Sequence, residues 1–328
     1  MGVKKVGILY KADVNVNPLD ILPEHEEMIR KVVPHATVVR AREEAELLDF
    51  APECEVLCTW GLYKPKDFFA AAKNLKWVHV LSAGFDGIIN LPGVSAKRLT
   101  ISATKGIHGI PIAEHTIGMM LMFLRGFNLL RDRQQKREWK RFLEADEMEG
   151  KTIGIVGIGE IGKVIAKKCK LLGMTVLGTG PRPVQNEFLD RFYLIQDLQE
   201  MLPQVDFLIL ICPLTAKSRG MIGEKELQAM KDSAYLFNLA RGPVVNNQAL
   251  LKALKEGWIA GAGLDALDPE PLPPESELWG LPNVIISPHM SAISPYYMHR
   301  AAKVFAENLR RFDQGEPLLY QFDWDKGY

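Results

Sequence analysis

The chain has 328 residues, of which 47% are hydrophobic and 24% charged, a composition typical of a globular protein long enough for two domains. Its 40 basic and 40 acidic residues cancel, so the charge balance does not favour a nucleic-acid-binding surface. The first apolar run is too short for a signal peptide and no stretch approaches a bilayer-spanning length, so we expect no membrane partner.

The four cysteines indicate reduced thiols and no metal site. Cys54 and Cys58 are the only close pair, and a C-x-x-x-C spacing without a second pair is no zinc signature. Cys169 and Cys212 lie in a predicted helix and at the end of a predicted strand, as small apolar residues do. We therefore expect a cytoplasmic protein with no bound metal.

Short apolar strands alternate with helical stretches through the first 103 residues, in units of about 20 residues. This alternation predicts an α/β domain with a parallel sheet. Ser82, Ala83 and Gly84 begin a loop that extends to Asp86 after one such strand, where open sheets of this kind bind ligands. The predicted strands are residues 6–10, 36–40, 56–59, 76–81 and 99–103, and the predicted helices are residues 22–33, 42–49 and 65–72.

A long apolar helix is predicted next, over about residues 111–125. Pro111 suits its first turn and Glu114 suits its positive end. Apolar residues lie on every side, which predicts a buried helix that links domains or packs in a dimer interface. The locally basic run 131–141 after it is interpreted as a solvated helix face or a loop near an interface.

Residues 151–183 have the pattern of a strand, a glycine turn, a helix and a second strand. Gly157, Gly159 and Gly162 fall at G-x-G-x-x-G spacing directly after the apolar run 152–156. The first glycine allows a tight turn, the second allows a pyrophosphate to approach, and the third allows close helix–strand packing. A helix over 161–172 and a strand over 174–177 favour a dinucleotide site. The alternative is a βαβ unit that binds nothing.

Four further strands are predicted, and each ends in a polar or rigid residue. They cover residues 207–211, 234–239, 261–264 and 284–287, with helices over 225–230 and 247–256 between them. An amphipathic helix over 295–314 follows. This alternation extends the parallel α/β pattern through the second half of the chain.

Three ionisable residues follow these strands or lie in their loops: Arg241, Glu270 and His289. A histidine titrates near working pH and suits acid–base chemistry, a carboxylate partner raises its pKa, and an arginine offers a planar fork to a carboxylate. The set matches reversible hydride transfer between a nicotinamide and a 2-oxo or 2-hydroxy acid. Spacing alone leaves open a surface ion pair, a solvated carboxylate and a core histidine.

The sequence resembles the D-isomer-specific 2-hydroxyacid dehydrogenase family over about residues 76–310. The order and combination of the matching stretches are more specific than any one of them. The strong matches are residues 154–162 (GIVGIGEIG), 212–222 (CPLTAKSRGMI), 238–246 (NLARGPVVN), 261–273 (GAGLDALDPEPLP) and 283–291 (NVIISPHMS); weaker matches are residues 80–88 and 111–121.

The resemblance implies two Rossmann-like domains with parallel sheets, one flavodoxin-like and one NAD(P)-binding. The NAD(P)-binding domain, residues 104–290, would be inserted in a substrate-binding domain formed by residues 1–103 and 291–328. The resemblance also implies a homodimer formed through the helix that Pro111 begins.

The family's residue roles transfer to matching positions of this chain. Arg241 would bind the substrate carboxylate and polarise the carbonyl, His289 would donate a proton to the carbonyl oxygen, and Glu270 would pair with His289. Backbone N–H groups of Ser82, Ala83 and Gly84 would contact the substrate carboxylate. The expected cofactor contacts are Gly157, Gly159, Glu160, Ile161, Gly162, Thr179, Arg182, Cys212, Pro213, Ser218, Ala240, Asp265 (at the nicotinamide end), His289 and Ser291.

Two positions depart from the family pattern. NAD-preferring members carry an acid after the second strand of the glycine-turn unit, whereas this chain has Gly180 there and no acid from residue 171 to 186. Arg182 and Thr179 are then placed to bind a 2′-phosphate, which predicts a preference for NADP(H). If Arg182 points to solvent, NAD(H) serves equally. Ser291 replaces a common Gly or Ala and either narrows the pocket or adds a hydrogen bond.

The favoured function is an NADPH-linked reductase of small 2-oxo acids such as glyoxylate or hydroxypyruvate. A D-3-phosphoglycerate dehydrogenase is a second possibility, which the absence of an appended regulatory domain disfavours. A cofactor-sensing regulator of the co-repressor type is a third. The retained Arg241, Glu270 and His289 favour an enzyme over that regulator.

Overall fold

A computed structural model of the chain describes residues 2–10, 20–61, 64–85, 87–141 and 144–325, so Asp86 of the predicted ligand loop lies outside the described residues. The chain divides into two compact units. Unit 1 comprises Met1–His108 and Ile293–Tyr328, and unit 2 comprises Gly109–Ala292. Each unit contains a parallel sheet with helices, which confirms the predicted α/β fold class.

The strands of the described chain are short, and most consist of consecutive buried residues. Such runs are expected where helices cover both faces of a parallel sheet. In chain order the strands are β1 (Lys5–Leu9), β2 (Thr37–Ala41), β3 (Val56–Thr59), β4 (Trp77–Val80), β5 (Thr100–Ala103), β6 (Thr152–Val156), β7 (Thr175–Gly180), β8 (Arg191–Leu194), β9 (Phe207–Leu210), β10 (Tyr235–Asn238), β11 (Gly261–Leu264) and β12 (Val284–Ile286).

The helices lie between the strands and after the last of them. In chain order they are α1 (Pro23–Val32), α2 (Lys66–Ala71), α3 (Pro92–Ser95), α4 (Gly109–Leu124), α5 (Phe127–Gln135), α6 (Glu160–Leu171), α7 (Leu198–Met201), α8 (Glu224–Ala229), α9 (Asn247–Glu256) and α10 (Tyr297–Gln314). None of these helices is long and apolar enough to cross a bilayer.

In unit 1, five parallel strands lie in the order β2-β1-β3-β4-β5. The C-terminal helix α10 is part of this unit, and its Phe305 ring stacks on that of His79 at 5.1 Å between centroids. His79 is fully buried, and its two ring nitrogens bond to Ser102 Oγ (2.8 Å) and Thr104 Oγ1 (3.1 Å). Burial lowers the pKa of His79 to about 3, so this histidine is a neutral core residue.

In unit 2, the sheet order is β12-β11-β10-β9-β6-β7-β8, with all neighbours parallel. Chain order reverses at β6, because β7 lies on one side of it and β9 on the other. Open α/β sheets bind ligands in the crevice at the carboxyl ends of strands at such a switch point. The glycine turn follows β6, so it lies at this position.

Several elements differ from the sequence prediction, among them a predicted helix of unit 1 and a strand of unit 2. The helix predicted over residues 42–49 is wrong: the structure has single 3₁₀ turns at Glu44–Leu47 and Ala51–Glu53. Pro52, in the second turn, lacks the N–H that a continuing helix requires. The strand β8 was not predicted. It pairs with β7 and covers that edge of the sheet.

The helix α4 is not buried on all sides within a single chain, and its packing in a dimer interface stays a prediction. Ile112 and Met120 are buried, but Glu114 and Gly118 are exposed and the Ile110 side chain is 48% exposed. The helix therefore has one face in the core of unit 2 and one partly open face. The adjoining α5 contains no buried residue, as expected for a solvated helix.

Candidate active site

The three motif glycines have three different surroundings. Gly157 has a φ of +109°, a backbone conformation that side chains rarely adopt. A Cβ on Gly162 would lie 2.1 Å from the Gly157 carbonyl oxygen, so this residue must lack a side chain for α6 to pack on the turn. Gly159 is the N-cap residue of α6, and a Cβ there would have nothing within 4 Å.

This turn fits the pyrophosphate of a dinucleotide. The N-terminal N–H groups of α6, which begins at Glu160 and Ile161, have no partners within the helix and favour an anion. The open space above Gly159 leaves that end of the helix accessible. The three glycines thus have the surroundings that the spacing predicts.

The end of β7 carries no acidic side chain. The strand ends at Gly180, and Arg182 beyond it is exposed. Asp190, an acid further along the chain, does not take this position. Its carboxylate accepts hydrogen bonds from Lys170 Nζ (2.6 Å) and from the Val176 amide (2.8 Å).

Thr179, the other residue predicted to bind a 2′-phosphate, is fully buried within β7, where it lies opposite Tyr193 of β8. Its hydroxyl has no hydrogen-bond partner among the described residues. Its contact with a phosphate stays a prediction, and Arg182 is the more exposed of the two candidate ligands.

The loop after β9 holds the predicted contacts Cys212, Pro213 and Ser218. Burial raises the pKa of the Cys212 thiol to about 11, so it stays protonated. Ser218 is buried, and its hydroxyl donates to the Pro213 carbonyl (2.8 Å) and accepts from the Thr215 amide (2.8 Å). Ser218 thus shapes this loop from within, and its role in cofactor binding stays a prediction.

The loop after β10 positions Arg241. The buried Asn238 donates from Nδ2 to the carbonyls of Arg241 (3.1 Å) and Ala266 (3.2 Å), and its Oδ1 accepts from the Ala240 amide (3.2 Å). These bonds tie the loop after β10 to the loop after β11. Ala240, a predicted cofactor contact, is buried in this turn, and Arg241 beside it is half-buried.

Gly242 allows the two loops to approach closely. A Cβ at this position would lie 1.9 Å from the Leu267 carbonyl oxygen, a separation that no side chain permits. The Leu267 amide in turn donates to Glu270 Oε1 (2.9 Å). Gly242 therefore brings the Arg241 loop against the segment that holds Glu270.

Glu270 and His289 form a hydrogen-bonded pair. The distance from His289 Nδ1 to Glu270 Oε2 is 2.8 Å, and the two side chains are 38% (Glu270) and 45% (His289) exposed. Because the carboxylate accepts, Nδ1 donates, and Nε2 is the ring atom from which a proton can pass to a substrate. The pair thus has the geometry of an oriented acid.

Relative to the ordinary values, the pKa of His289 is raised and the pKa of Glu270 is lowered. The hydrogen bond to Glu270 raises the pKa of His289 and outweighs burial, which lowers it. Burial raises the pKa of Glu270, but the bonds from His289 and the Leu267 amide outweigh it and leave that pKa below its ordinary value. The charge of Arg241 acts on both groups, which places it in their vicinity. Both shifts widen the pH range in which an ionised Glu270 lies beside a protonated His289.

Hydrogen bonds to Asp265 hold the loop that carries His289. Its carboxylate is buried and accepts from Ser287 Oγ (2.6 Å) and from the amides of Met290 (2.9 Å) and Ser291 (3.2 Å). These loop contacts were not predicted from the sequence, and the contact of Asp265 with the nicotinamide end stays a prediction. Ser291 is itself buried and contributes its amide to this anchor.

The predicted substrate loop belongs to unit 1, at the carboxyl end of β4. Ser82 Oγ donates to the Gly84 carbonyl (3.0 Å), which closes a tight turn around Ala83. A Cβ on Gly61 would lie 2.2 Å from Ser82 Oγ, so this loop packs closely against the end of β3. Ser82, Ala83 and Gly84 are all half-buried.

The chain is similar to proteins of one family. A model described as "D-isomer specific 2-hydroxyacid dehydrogenase, NAD binding domain" matches residues 117–291. A glyoxylate reductase of Thermofilum pendens is 37% identical over 252 residues, which covers 75% of this chain and 74% of that protein. The chain belongs to the D-isomer specific 2-hydroxyacid dehydrogenase family. It is an NAD(P)-dependent oxidoreductase, as the resemblance implied.

Solved structures of this family share the whole fold. A family member from Aeromonas salmonicida has a TM-score of 0.86 at 30% identity, covering 98% of this chain and 99% of its own. An NADPH-dependent glyoxylate/hydroxypyruvate reductase from Sinorhizobium meliloti, in complex with NADP and sulfate, has a TM-score of 0.84 at 26% identity, covering 99% and 100%. The family fold therefore extends over both units.

Sequence reasoning missed three residues that shape the site of this dehydrogenase. Asn238 and Gly242 lie within the matched stretch 238–246, but the sequence indicated a chemical role for the ionisable Arg241 between them and none for these two residues. A buried-strand asparagine followed by a glycine was the available signal, because such an amide must find backbone partners. Ser287 gave no signal, since its partner Asp265 lies 22 residues away in the sequence.

Two glycine substitutions separate folding from cofactor binding. Gly162→Ala should destabilise the protein by about 1–3 kcal/mol, because the added methyl meets backbone. Gly159→Ala should change the unfolding free energy by less than about 0.5 kcal/mol. It should nevertheless weaken NADPH binding by about tenfold or more, roughly 1.4 kcal/mol, because the methyl fills the open space. Urea unfolding and fluorescence titration measure the two effects, and equal NADPH affinity in Gly159→Ala would contradict the placement of the pyrophosphate.

Proposed function

We propose that this dehydrogenase reduces small 2-oxo acids of the glyoxylate or hydroxypyruvate type to the corresponding 2-hydroxy acids, of D configuration where C2 is chiral, with His289 as the acid. The observation that carries the proposal is the 2.8 Å hydrogen bond of His289 to Glu270 in a segment adjoining the Arg241 loop. The names of the similar proteins support the substrate class. The catalytic residues of the proposal are Arg241, Glu270 and His289.

The proposed reaction divides the work among these side chains. Arg241 binds the substrate carboxylate through its planar fork and draws electron density from the adjacent carbonyl. His289 donates the proton on Nε2 to the carbonyl oxygen, and Glu270 stabilises the imidazolium before that transfer. The nicotinamide, when bound, supplies the hydride. Solvent then returns a proton to His289, so one proton and one hydride are consumed per hydroxy acid formed.

The proposal assigns different tasks to the two units. Unit 2 binds the cofactor through Gly157, Gly159, Gly162 and the start of α6. Unit 1 binds substrate through the backbone of Ser82, Ala83 and Gly84. Cys212, Pro213, Ala240 and Ser291 serve the cofactor through the loops that they shape.

We propose that NADP(H) is preferred over NAD(H). The support is the exposed Arg182 beyond β7, together with Gly180 where an acid would repel a 2′-phosphate. An arginine fork matches a phosphate, and the charge pair is the main attraction. NAD(H) remains a usable second cofactor in this proposal, because the glycine turn binds the pyrophosphate common to both.

We also propose a cytoplasmic homodimer. The four cysteines are unpaired, as in a reducing compartment. The helix α4, through which the resemblance implies the dimer, has a partly open face on which Ile110 is 48% exposed, and on the adjoining α5 Phe127 is 52% and Leu130 39% exposed. Exposed apolar patches mark interaction surfaces. In a two-fold arrangement, each copy of the chain would cover the patch of the other.

The function is tested by following NADPH oxidation with glyoxylate, hydroxypyruvate and 3-phosphohydroxypyruvate. We expect turnover with the first two, and a loss of about 10²–10⁴-fold in kcat in His289→Gln with an unchanged Kd for NADPH. Turnover confined to the phosphorylated acid would favour a phosphoglycerate dehydrogenase. Absence of turnover with every 2-oxo acid would favour the regulator.

The pH dependence tests the pairing of His289 with Glu270. Reduction needs protonated His289, so kcat/KM should be constant at low pH and fall about tenfold per unit once the pH exceeds its raised pKa. In Glu270→Gln the partner charge is lost, so this fall should begin at lower pH. A profile that does not move in Glu270→Gln would remove Glu270 from its proposed role.

Cofactor preference is tested by Arg182→Asp. We expect kcat/KM for NADPH to fall by about 10- to 100-fold, as loss of a charged hydrogen bond implies, while kcat/KM for NADH holds or rises. Arg98→Asp, at an exposed arginine of unit 1, is the control and should leave the ratio unchanged. A wild-type enzyme that strongly prefers NADH would refute the proposed preference.

The homodimer is tested by sedimentation equilibrium. The wild type should have twice the chain mass of 36.8 kDa. Leu130→Glu should shift the protein toward the monomer, because the charge would be buried at the interface. The substitution Leu172→Glu, at a 44% exposed leucine after α6, is the control. A monomeric wild type would contradict the proposal.

A further inference from the structure

A chain of hydrogen bonds runs from α4 to the loop of His289. The distance from His115 Nε2 to Ser287 Oγ is 2.9 Å, and that from Ser287 Oγ to Asp265 Oδ1 is 2.6 Å. All three residues belong to unit 2. His115 lies on α4, Ser287 follows β12, and Asp265 follows β11, so the chain joins three separate elements.

The direction of these bonds follows from the chemistry of the groups. A buried carboxylate accepts, so the single hydroxyl proton of Ser287 is donated to Asp265. Ser287 Oγ must then accept from His115, which requires a proton on His115 Nε2. The three groups thus form an ordered series in which each donates to the next, and hydrogen bonds in such a series strengthen one another.

The series ends on the backbone that presents His289. Asp265 accepts from the amides of Met290 and Ser291 through its carboxylate, and from the His289 amide (2.9 Å) through its carbonyl. His289 has a φ of +51°, in the left-handed region that disfavours residues other than glycine. A backbone in this conformation persists only when its surroundings hold it there.

We propose that His115 and Ser287 are positioning residues for the acid His289, acting through Asp265. They fix the orientation of the Asp265 carboxylate, which fixes the amides of Met290 and Ser291 directly after His289. This assignment rests on the proposed function for its kinetic consequence, but its structural consequence at His289 does not depend on turnover. His289 loses its alignment with Glu270 when the series is broken.

The surroundings of His289 determine what a broken series would change. The charged groups that act on its imidazole are Glu270, Arg241 and Asp265. A shift of the loop moves His289 relative to all three. The bond to Glu270 is the largest of these effects and raises the pKa of His289, so its loss moves that pKa down toward the ordinary value.

The experiment uses four variants in two pairs, with one control. Ser287→Ala and His115→Leu remove a donor, whereas Ser287→Thr and His115→Gln each keep one. Thr116→Val is the control, because it removes a buried hydroxyl of α4 whose hydrogen bond, within the part of the chain that the structure describes, is to the Ile112 carbonyl of its own helix. Each protein is studied by ¹³C NMR titration of its histidine rings, with the His289 signal assigned by its loss in His289→Gln.

We expect Ser287→Ala and His115→Leu to lower the pKa of His289 and to lower kcat by about 10- to 100-fold, as small misplacements of a catalytic group do. KM for NADPH should stay within about twofold, because the glycine turn is untouched. In Ser287→Thr and His115→Gln, which keep a donor, the pKa of His289 and kcat should both stay close to their wild-type values. Thr116→Val should leave the His289 titration and kcat as in the wild type.

Two results would overturn the proposal. One is a His289 titration that is the same in Ser287→Ala and His115→Leu as in the wild type. The other is an equal shift in Thr116→Val, which would show general loosening of α4. If the wild type reduces no 2-oxo acid, the proposed function fails, while the NMR titration still decides whether His115 and Ser287 position His289.

Discussion

The buried carboxylate of Asp265 is the anchor on which the geometry of the site depends. A buried charge is costly unless hydrogen bonds satisfy it, and Asp265 accepts from a hydroxyl and two backbone amides. Those donors belong to the segment that carries His289. The need to satisfy one acid therefore holds the backbone at His289 in a conformation that it would otherwise leave.

A second buried polar side chain, at the end of the neighbouring strand, holds its loops in the same way. Asn238 is buried at the end of β10, and its amide finds partners in the loops after β10 and β11. Gly242 lets those loops meet. Because parallel strands end at the same edge of the sheet, three short loops bring an arginine, a glutamate and a histidine toward one another. The chemistry of the family is thus held by groups that do not themselves react.

Much of this could be predicted from the sequence. The strands of unit 2 are apolar runs bounded by turn residues, and the glycine spacing encodes a turn with three distinct steric demands. The pairing of Glu270 with His289 came from the resemblance to the family, since the spacing of the two residues left it open. The edge of the unit 2 sheet was harder to predict, because its outermost strand, β8, is short. Thr179 lies opposite Tyr193 of this strand and is fully buried, which the sequence did not indicate. The hydrogen bonds of the Asp265 carboxylate could not be predicted either, because its partners Ser287, Met290 and Ser291 are distant from it in the sequence.

The central claim is that His289 carries the proton destined for the substrate oxygen, and proton uptake on ligand binding tests it most directly. Oxamate, an analogue of a 2-oxo acid that is not reduced, is titrated into the enzyme with NADPH by calorimetry, in two buffers of different ionisation enthalpy. At a pH above the raised pKa of His289, the account predicts uptake of nearly one proton per oxamate bound, and almost none in His289→Gln. Equal uptake in the two proteins, or none in the wild type, would contradict it.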